Sequence, residues 1–316
     1  MPDTPADLLE RAQGGDRAAL ARLLSLVERG GPTAREVGRL THPAGGQAYT
    51  VGLTGAPGAG KSTLTNALVR EVRRHDVPVA VLAIDPSSPF TGGAILGDRV
   101  RMADHATDPG VFIRSMATRG HLGGLSLATL EAIRALDATG WPWVLIETVG
   151  VGQVEVEVAG AADTTVVVVN PGWGDAVQAN KAGLLEIADV FVINKADRPG
   201  ATETRRDLER MLDLTGTGHE PGGWRPPVLA TTAPTGEGVA ELWDAVAAHR
   251  AHLEQAGTLE PRRAERVGDE LVHILAALLH ERALAAAGDR IGSLAAEVAR
   301  RQLDPWTAAE RLLPPP

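Results

Sequence analysis

Eight consecutive residues constrain this chain more than any other feature. Gly55-Ala56-Pro57-Gly58-Ala59-Gly60-Lys61-Ser62 follows the apolar run 49–54 and opens the helical pattern of residues 62–74. G-x-x-x-x-G-K-[ST] between a strand and a helix is the pattern of a phosphate loop. The glycines let backbone N–H groups turn inward toward phosphate oxygens. The helix N-terminus adds a favourable dipole. In such a loop Lys61 reaches the β- and γ-phosphates, the Ser62 hydroxyl ligates Mg²⁺, and Thr63 continues the first helical turn. The competing reading is a glycine-rich turn with an incidental lysine. The flanking strand and helix argue against it.

Around this loop the chain alternates strands and helices. Apolar runs at 78–84, 111–116, 143–146, 164–169, 190–193 and 227–230 read as strands, with helices such as 125–136 between them. The runs are continuous rather than alternating, which marks strands buried on both faces, as in a parallel sheet. The expected fold class is therefore α/β, a doubly wound and mostly parallel sheet. Residues 5–39 are helical in pattern. Asp16 is placed to cap 17–28, where Leu20, Leu23, Leu24 and Val27 recur at helical spacing. Residues 41–46 read as a linker. Beyond residue 260 come a long Ala/Leu-rich helix, 262–287, and two shorter ones, 291–303 and 306–312. Val267, Leu271, Ile274, Leu275 and Leu278 share one face of the long helix. The expected organisation is an N-terminal helical extension (1–45), a nucleotide-binding domain (46–258) and a C-terminal helical arm (259–316). The arm can pack on its own domain or on a second subunit.

Composition narrows the function classes. The chain has 316 residues, no cysteine and a formal net charge of −9. Without cysteine there is no disulfide framework, thiol catalysis or thiolate metal site. The negative charge argues against nonspecific binding to nucleic acid or an anionic membrane. The N-terminus carries acids and no apolar core of a secretory signal. No apolar run approaches the ~18 residues of a membrane span. The expectation is a soluble cytoplasmic protein with neither nucleic-acid nor membrane partners.

Four further segments carry chemistry. Asn194-Lys195-Ala196-Asp197, after a strand, matches N-K-x-D. A carboxylate at Asp197 accepts from guanine N1–H and the exocyclic amine, and adenine would leave it unpaired. A site with an unpaired buried polar group rejects the wrong ligand strongly. The Lys195 stem can lie along the base, and Asn194 can tie this loop to the phosphate loop. Thr231-Thr232-Ala233, after the last strand, is placed to offer a backbone N–H to the guanine carbonyl. Glu147-Thr148-Val149-Gly150 suits a Mg²⁺ and γ-phosphate element, with Glu147 holding the ion through water and the Gly150 N–H meeting the phosphate. Asp85 and Asp98 are candidates to ligate Mg²⁺ through water or to orient the attacking water. Their ordinary alternatives are a turn-former and a helix cap.

In order after GAPGAGKST, the segments IDPSSPFTGGAILGDRVRM, ETVGVGQVE, PGWGDAVQANKAGLLEIAD and NKAD resemble the MeaB/ArgK family of P-loop GTPases. The resemblance implies GTP/GDP and Mg²⁺ as ligands and GTP hydrolysis as the activity. It implies a chaperone of an adenosylcobalamin-dependent acyl-CoA mutase, of the methylmalonyl-CoA mutase type, that gates cofactor loading and protects or reactivates the enzyme. It also implies a homodimer joined by C-terminal helices. Residues 171–183 are similar to the extra switch through which the family couples to its mutase, which makes Asp175, Gln178 and Lys181 candidate coupling residues. Val154 and Thr232 depart from the family pattern. Competing readings are a metal-insertion GTPase of the same class and an ArgK-like kinase of a periplasmic transport protein. Nine scattered histidines and no cysteine count against the first. No second substrate motif supports the other.

One compositional bias sharpens the site. Lysine occurs only at Lys61, Lys181 and Lys195, against 28 arginines. A compact point charge suits phosphates better than a planar guanidinium fork, which accounts for Lys61. Lys195 needs a slim stem beside a base. The third lysine falls in the candidate coupling segment.

Overall fold

The computed structural model describes residues 3–86, 103–105, 107–118, 127–148, 160–172, 186–215 and 222–313. They form two compact units, Met1–Arg263 and Ala264–Pro316.

The first unit is built on a seven-stranded sheet in the order β3-β2-β4-β1-β5-β6-β7. Its strands are β1 (Tyr49–Gly55), β2 (Val79–Pro86), β3 (Val111–Thr118), β4 (Trp143–Thr148), β5 (Thr164–Val169), β6 (Val190–Asn194) and β7 (Val228–Thr231). Every pairing among them is parallel. β1 lies between β4 and β5, where successive connections run to opposite sides, and such switch points are where open α/β sheets bind ligands.

Continuous apolar strands need cover on both faces, and helices supply it. On one face α1 (Pro5–Gln13), α2 (Arg17–Arg29), α3 (Gly31–Thr41) and α5 (Leu127–Ala138) meet the sheet. There Leu20, Leu23, Leu24 and Val27 join Leu82, Ile84, Met116 and Ile146 in one buried cluster. The N-terminal helices thus belong to the first unit's core. α6 (Ala201–Thr215) extends this face, with Leu208 and Leu212 on Val167, Val169 and Phe191. On the other face α4 (Lys61–Arg74) and α7 (Val239–Ala256) pack on Val51, Leu53, Leu145 and Val168.

The caps follow the local chemistry. The Asp16 carboxylate accepts from the N–H groups of Ala18 and Ala19, as expected of an N-cap. The expected linker at 41–46 contains a short 3₁₀ turn, His42–Ala44. It ends on the Asp137 carboxylate, which accepts from the backbone N–H groups of Gly46, Gln47 and Ala48.

α8 (Leu259–Ala287) starts three residues before the expected helix, since Thr258 accepts the first helical bond from Arg262. The second unit holds the rest of α8 together with α9 (Arg290–Ala299) and α10 (Pro305–Leu312). Asp304 caps α10 by accepting from Trp306 and Thr307. Among the described residues no single helix is long and apolar enough to cross a membrane.

Candidate nucleotide site

β1 delivers the phosphate loop at the switch point, at the C-terminal edge of the sheet. Gly55 is in the left-handed half of backbone space (φ 129°), and a Cβ there would lie 2.0 Å from the Val168 carbonyl oxygen. Only glycine allows β1 and β5 to approach so closely at the mouth of the loop. Gly60 is the N-cap of α4 at φ 89°, so the helix opens on a residue with no side chain to cap its first N–H groups. Those N–H donors and the dipole of α4 suit an anion. Pro57 and Gly58 are exposed, Ala59 is fully buried and Thr63 is half-buried.

Lys61 curls back along its own loop, its Nζ donating to the carbonyls of Gly55 at 2.6 Å and Ala56 at 3.2 Å. The Ser62 hydroxyl donates to Glu147 Oε1. Ser62 lies in the first turn of α4 and Glu147 ends the apolar part of β4, so the hydroxyl and the carboxylate meet across the loop. Both are buried. Two hard oxygen donors beside a phosphate loop match the preference of Mg²⁺ for oxygen ligands. The site fits that ion.

Asn194 and Lys195 bind the N-K-x-D segment to the phosphate loop. Asn194 Nδ2 donates to the Ala59 carbonyl at 2.8 Å, and Asn194 Oδ1 accepts from Thr231 Oγ1 and from the Ala233 N–H, both at 3.2 Å. A Cβ on Gly60 would come 2.6 Å from Asn194 Nδ2, so this glycine also makes room for the tie. Lys195 has φ 61°, and its Nζ donates to the Gly58 carbonyl at 2.5 Å. Its stem therefore runs across the loop and forms one wall. Asp197 follows, exposed. The Ala196 N–H donates to the Thr231 carbonyl, and Thr232 pairs with Glu237 through its N–H, which closes the last loop. The Ala233 N–H, expected to meet the guanine carbonyl, is directed at Asn194 in this structure. Pro234 has no N–H to replace it.

The structure thus brings Gly55–Ser62 together with Glu147, Asn194 and Lys195. The backbone of Asp85 pairs with Ala117 at the end of β2. Its side chain lies outside the described residues, as do Asp98, Gly150, Asp175, Gln178 and Lys181. Among the described residues, no group of three or more His, Cys, Asp or Glu is arranged to hold a metal.

The family described as methylmalonyl Co-A mutase-associated GTPase MeaB matches residues 20–288. The chain belongs to the MeaB family. A protein of Pyrococcus abyssi described as a GTPase is 50% identical over 308 residues, covering 97% of this chain and 95% of the relative. The mouse protein "Methylmalonic aciduria type A homolog, mitochondrial" is 36% identical over 264 residues, 79% of this chain and 64% of that one. A crystal structure described as LAO/AO transport system kinase superposes with TM-score 0.71 at 27% identity, covering 99% and 97% of the two chains. This MeaB-family chain is a GTPase: it binds guanine nucleotide and hydrolyses GTP to GDP and phosphate.

Sequence patterns did not point to the other polar side chains buried in this MeaB fold. Asp163 and Asp189 each precede a strand. Asp163 accepts from the Thr50 N–H and Asp189 from the Thr165 N–H, so each carboxylate caps its neighbour strand. The repeated Ala-Asp before an apolar run, at 162–163 and 188–189, was the available signal. His249 lies among them with Nδ1 2.8 Å from Thr164 Oγ1, which in turn is 2.7 Å from the Tyr49 hydroxyl. Burial pushes His249 down to about 4 against the pull of Asp189, and pushes Tyr49 up to about 12. This cluster sits at the N-terminal edge of the sheet, opposite the phosphate loop.

Proposed function

We propose that this MeaB-family GTPase holds GTP·Mg²⁺ across Gly55–Thr63 and Asn194–Asp197 and serves as a chaperone of an adenosylcobalamin-dependent acyl-CoA mutase, of the methylmalonyl-CoA mutase type. The observation that carries the nucleotide half is the Asn194 bridge, which joins a phosphate loop and a base-reading loop into one rigid cleft. The family's description and the name of the mouse relative support the mutase half. The names of the P. abyssi relative and the family both describe a GTPase, which favours this reading over the transport-kinase one.

Each residue has a task in this reading. Lys61 exchanges the carbonyls of Gly55 and Ala56 for the β- and γ-phosphates, a gain because a cation pairs more strongly with phosphate than with a peptide carbonyl. Asp197 accepts from guanine N1–H and the 2-amino group. Thr231 holds Asn194 in place, while Thr232 and Ala233 edge the base. Ser62 and Glu147 would hold Mg²⁺, Ser62 directly and Glu147 through water, with Asp85 and Asp98 as further candidates. When bound, the ion would supply charge neutralisation on the triphosphate. Gly150 would offer its N–H to the γ-phosphate.

Coupling to the mutase is assigned to Asp175, Gln178 and Lys181. The subunits are proposed to join as a homodimer through the C-terminal helices, where Val267, Leu271, Leu275 and Leu279 form an exposed apolar stripe on α8. The compartment proposed is the cytoplasm.

Two measurements test the proposal. A pull-down from native extract with GTP-analogue-loaded protein is expected to recover a cobalamin-dependent mutase. Recovery of an unrelated partner alone would overturn the chaperone reading. Lys181→Ala is expected to leave basal hydrolysis within about twofold while losing most acceleration by the mutase. Equal acceleration of variant and wild type would remove Lys181 from the coupling.

A further inference from the structure

α4 begins with the two side chains assigned to phosphate and metal, Lys61 and Ser62. One turn further along sits Asn66, on the same side of the helix as Ser62. Asn66 Oδ1 lies 2.7 Å from Nε2 of His105, which is 39 residues away in sequence. Both side chains are only 6% exposed. Asn66 Oδ1 can only accept, so Nε2 carries the proton and donates. Burial pushes the His105 imidazole below its ordinary range, so it is neutral at pH 7 and its single ring proton is committed to this bond.

The bond is not isolated. Two turns beyond Asn66, Arg73 Nε donates to Asp108 Oδ2 at 2.9 Å. The other oxygen of Asp108 accepts from the Gly110 N–H at 2.8 Å. Arg17 of α2 donates to the Asp108 carbonyl at 2.9 Å. Residues 103–105 and 107–110 are therefore pinned to α4 at two points, His105 and Asp108. A surface connection between strands needs no buried side-chain bond to the phosphate-loop helix, and leaving an imidazole or amide unpaired at such depth is costly. His105 also stands in the short 3₁₀ turn Ala103–His105, with which the described structure resumes five residues after Asp98.

We propose that His105 and Asn66 are positioning residues for GTP hydrolysis: their buried bond clasps residues 103–105 to α4 one turn behind Ser62 and so fixes the metal side of the site. Neither residue touches nucleotide. The clasp acts through Ser62, whose hydroxyl direction depends on the seating of the first turns of α4. Its loss should therefore damage turnover and the Mg²⁺ requirement more than nucleotide affinity, since the phosphate and guanine loops are held independently by Asn194 and Lys195.

The test is steady-state GTP hydrolysis by the full chain with Mg²⁺ titration, beside GDP binding without Mg²⁺. The variants are His105→Ala, Asn66→Ala, the double variant and His105→Gln. For His105→Ala we expect kcat down about tenfold, half-saturating Mg²⁺ up several-fold, and GDP affinity within about twofold of wild type. The double variant should be no worse than the worse single, because both remove one bond. His105→Gln, which keeps a donor, should recover most of kcat. A kcat within about twofold of wild type for His105→Ala would overturn the clasp. So would a matched loss of GDP affinity, or a folded His105→Gln that is no better than His105→Ala. The inference rests on Mg²⁺ at Ser62, and Ser62→Ala tests that placing alone: an unchanged Mg²⁺ requirement there would refute the metal assignment, not the bond.

Discussion

Asn194 does two jobs with one amide. Its N–H₂ end reaches the phosphate loop at Ala59, and its oxygen gathers Thr231 and Ala233 from the last loop. No other residue type of this length offers both a donor and an acceptor in that plane, since aspartate lacks the donor. Asn194→Ala is expected to lose at least three hydrogen bonds and weaken GDP binding by about tenfold or more, at roughly 1 kcal/mol per bond. Calorimetric titration with GDP checks it, and unchanged affinity would mean the loops hold their geometry unaided. Much at this scale was legible beforehand. The N-K-x-D pattern singled out both Asn194 and Lys195, and the structure brings both side chains onto the Gly55–Ser62 loop. His105 and Asn66 were not legible. A buried His–Asn bond has no sequence period, and its partners lie 39 positions apart.

At the scale of elements, the base of the sheet is the most heavily wired part of the first unit. Arg263, at the start of α8, forms a two-bond pair with Asp163 (3.1 and 2.8 Å) and donates to the Ala48 carbonyl at 2.8 Å, while Arg262 reaches Asp189 at 3.2 Å. These two arginines, both in the first unit, thereby hold the residues that lead into β1, β5 and β6. Between the two aspartates His249 is held neutral. Its proton affinity in the folded chain, with a pKa of about 4, is below the unfolded value of 6.5. The unfolded chain therefore binds the proton first. Stability is full above about pH 6.5, falls as pH drops, and has lost all of this contribution near pH 4. Between pH 7.5 and pH 5 the loss expected from this group is about 2 kcal/mol. Denaturant unfolding of wild type and His249→Gln at the two pH values checks it. The variant should lose less stability across the interval, and equal losses would show that His249 does not drive the acid sensitivity. Element existence was read well from the apolar runs. Most boundaries moved by three residues or fewer, and the helix expected at 291–303 ends four residues early at Ala299, because helix ends are set by which carbonyl finds an N–H rather than by apolar periodicity.

At the scale of the whole molecule, the second unit carries the unresolved apolar cost. Leu271, Leu275 and Leu279 recur every four residues on α8, and each is more than half exposed. A stripe of that length on a helix is a surface normally buried by another chain or body. Replacing Leu271 and Leu275 together with aspartate is expected to shift the protein from dimer to monomer in sedimentation, with basal GTP hydrolysis kept within about twofold. A wild type that sediments as a monomer would remove the dimer proposal.

The sequence alone determined the α/β fold class and the place of the Gly55–Ser62 loop between β1 and α4, and it singled out the N-K-x-D segment and Glu147. Each is a local pattern in which chemistry dictates residue type at fixed spacing. Tertiary structure decided what spacing cannot encode: that the N-terminal helices join the sheet's own core, that Ser62 meets Glu147, that one asparagine locks two loops, and that His105 is fastened to α4. Those are contacts between residues dozens of positions apart. They come into being only when burial of the continuous apolar strands brings the ends of the sheet together.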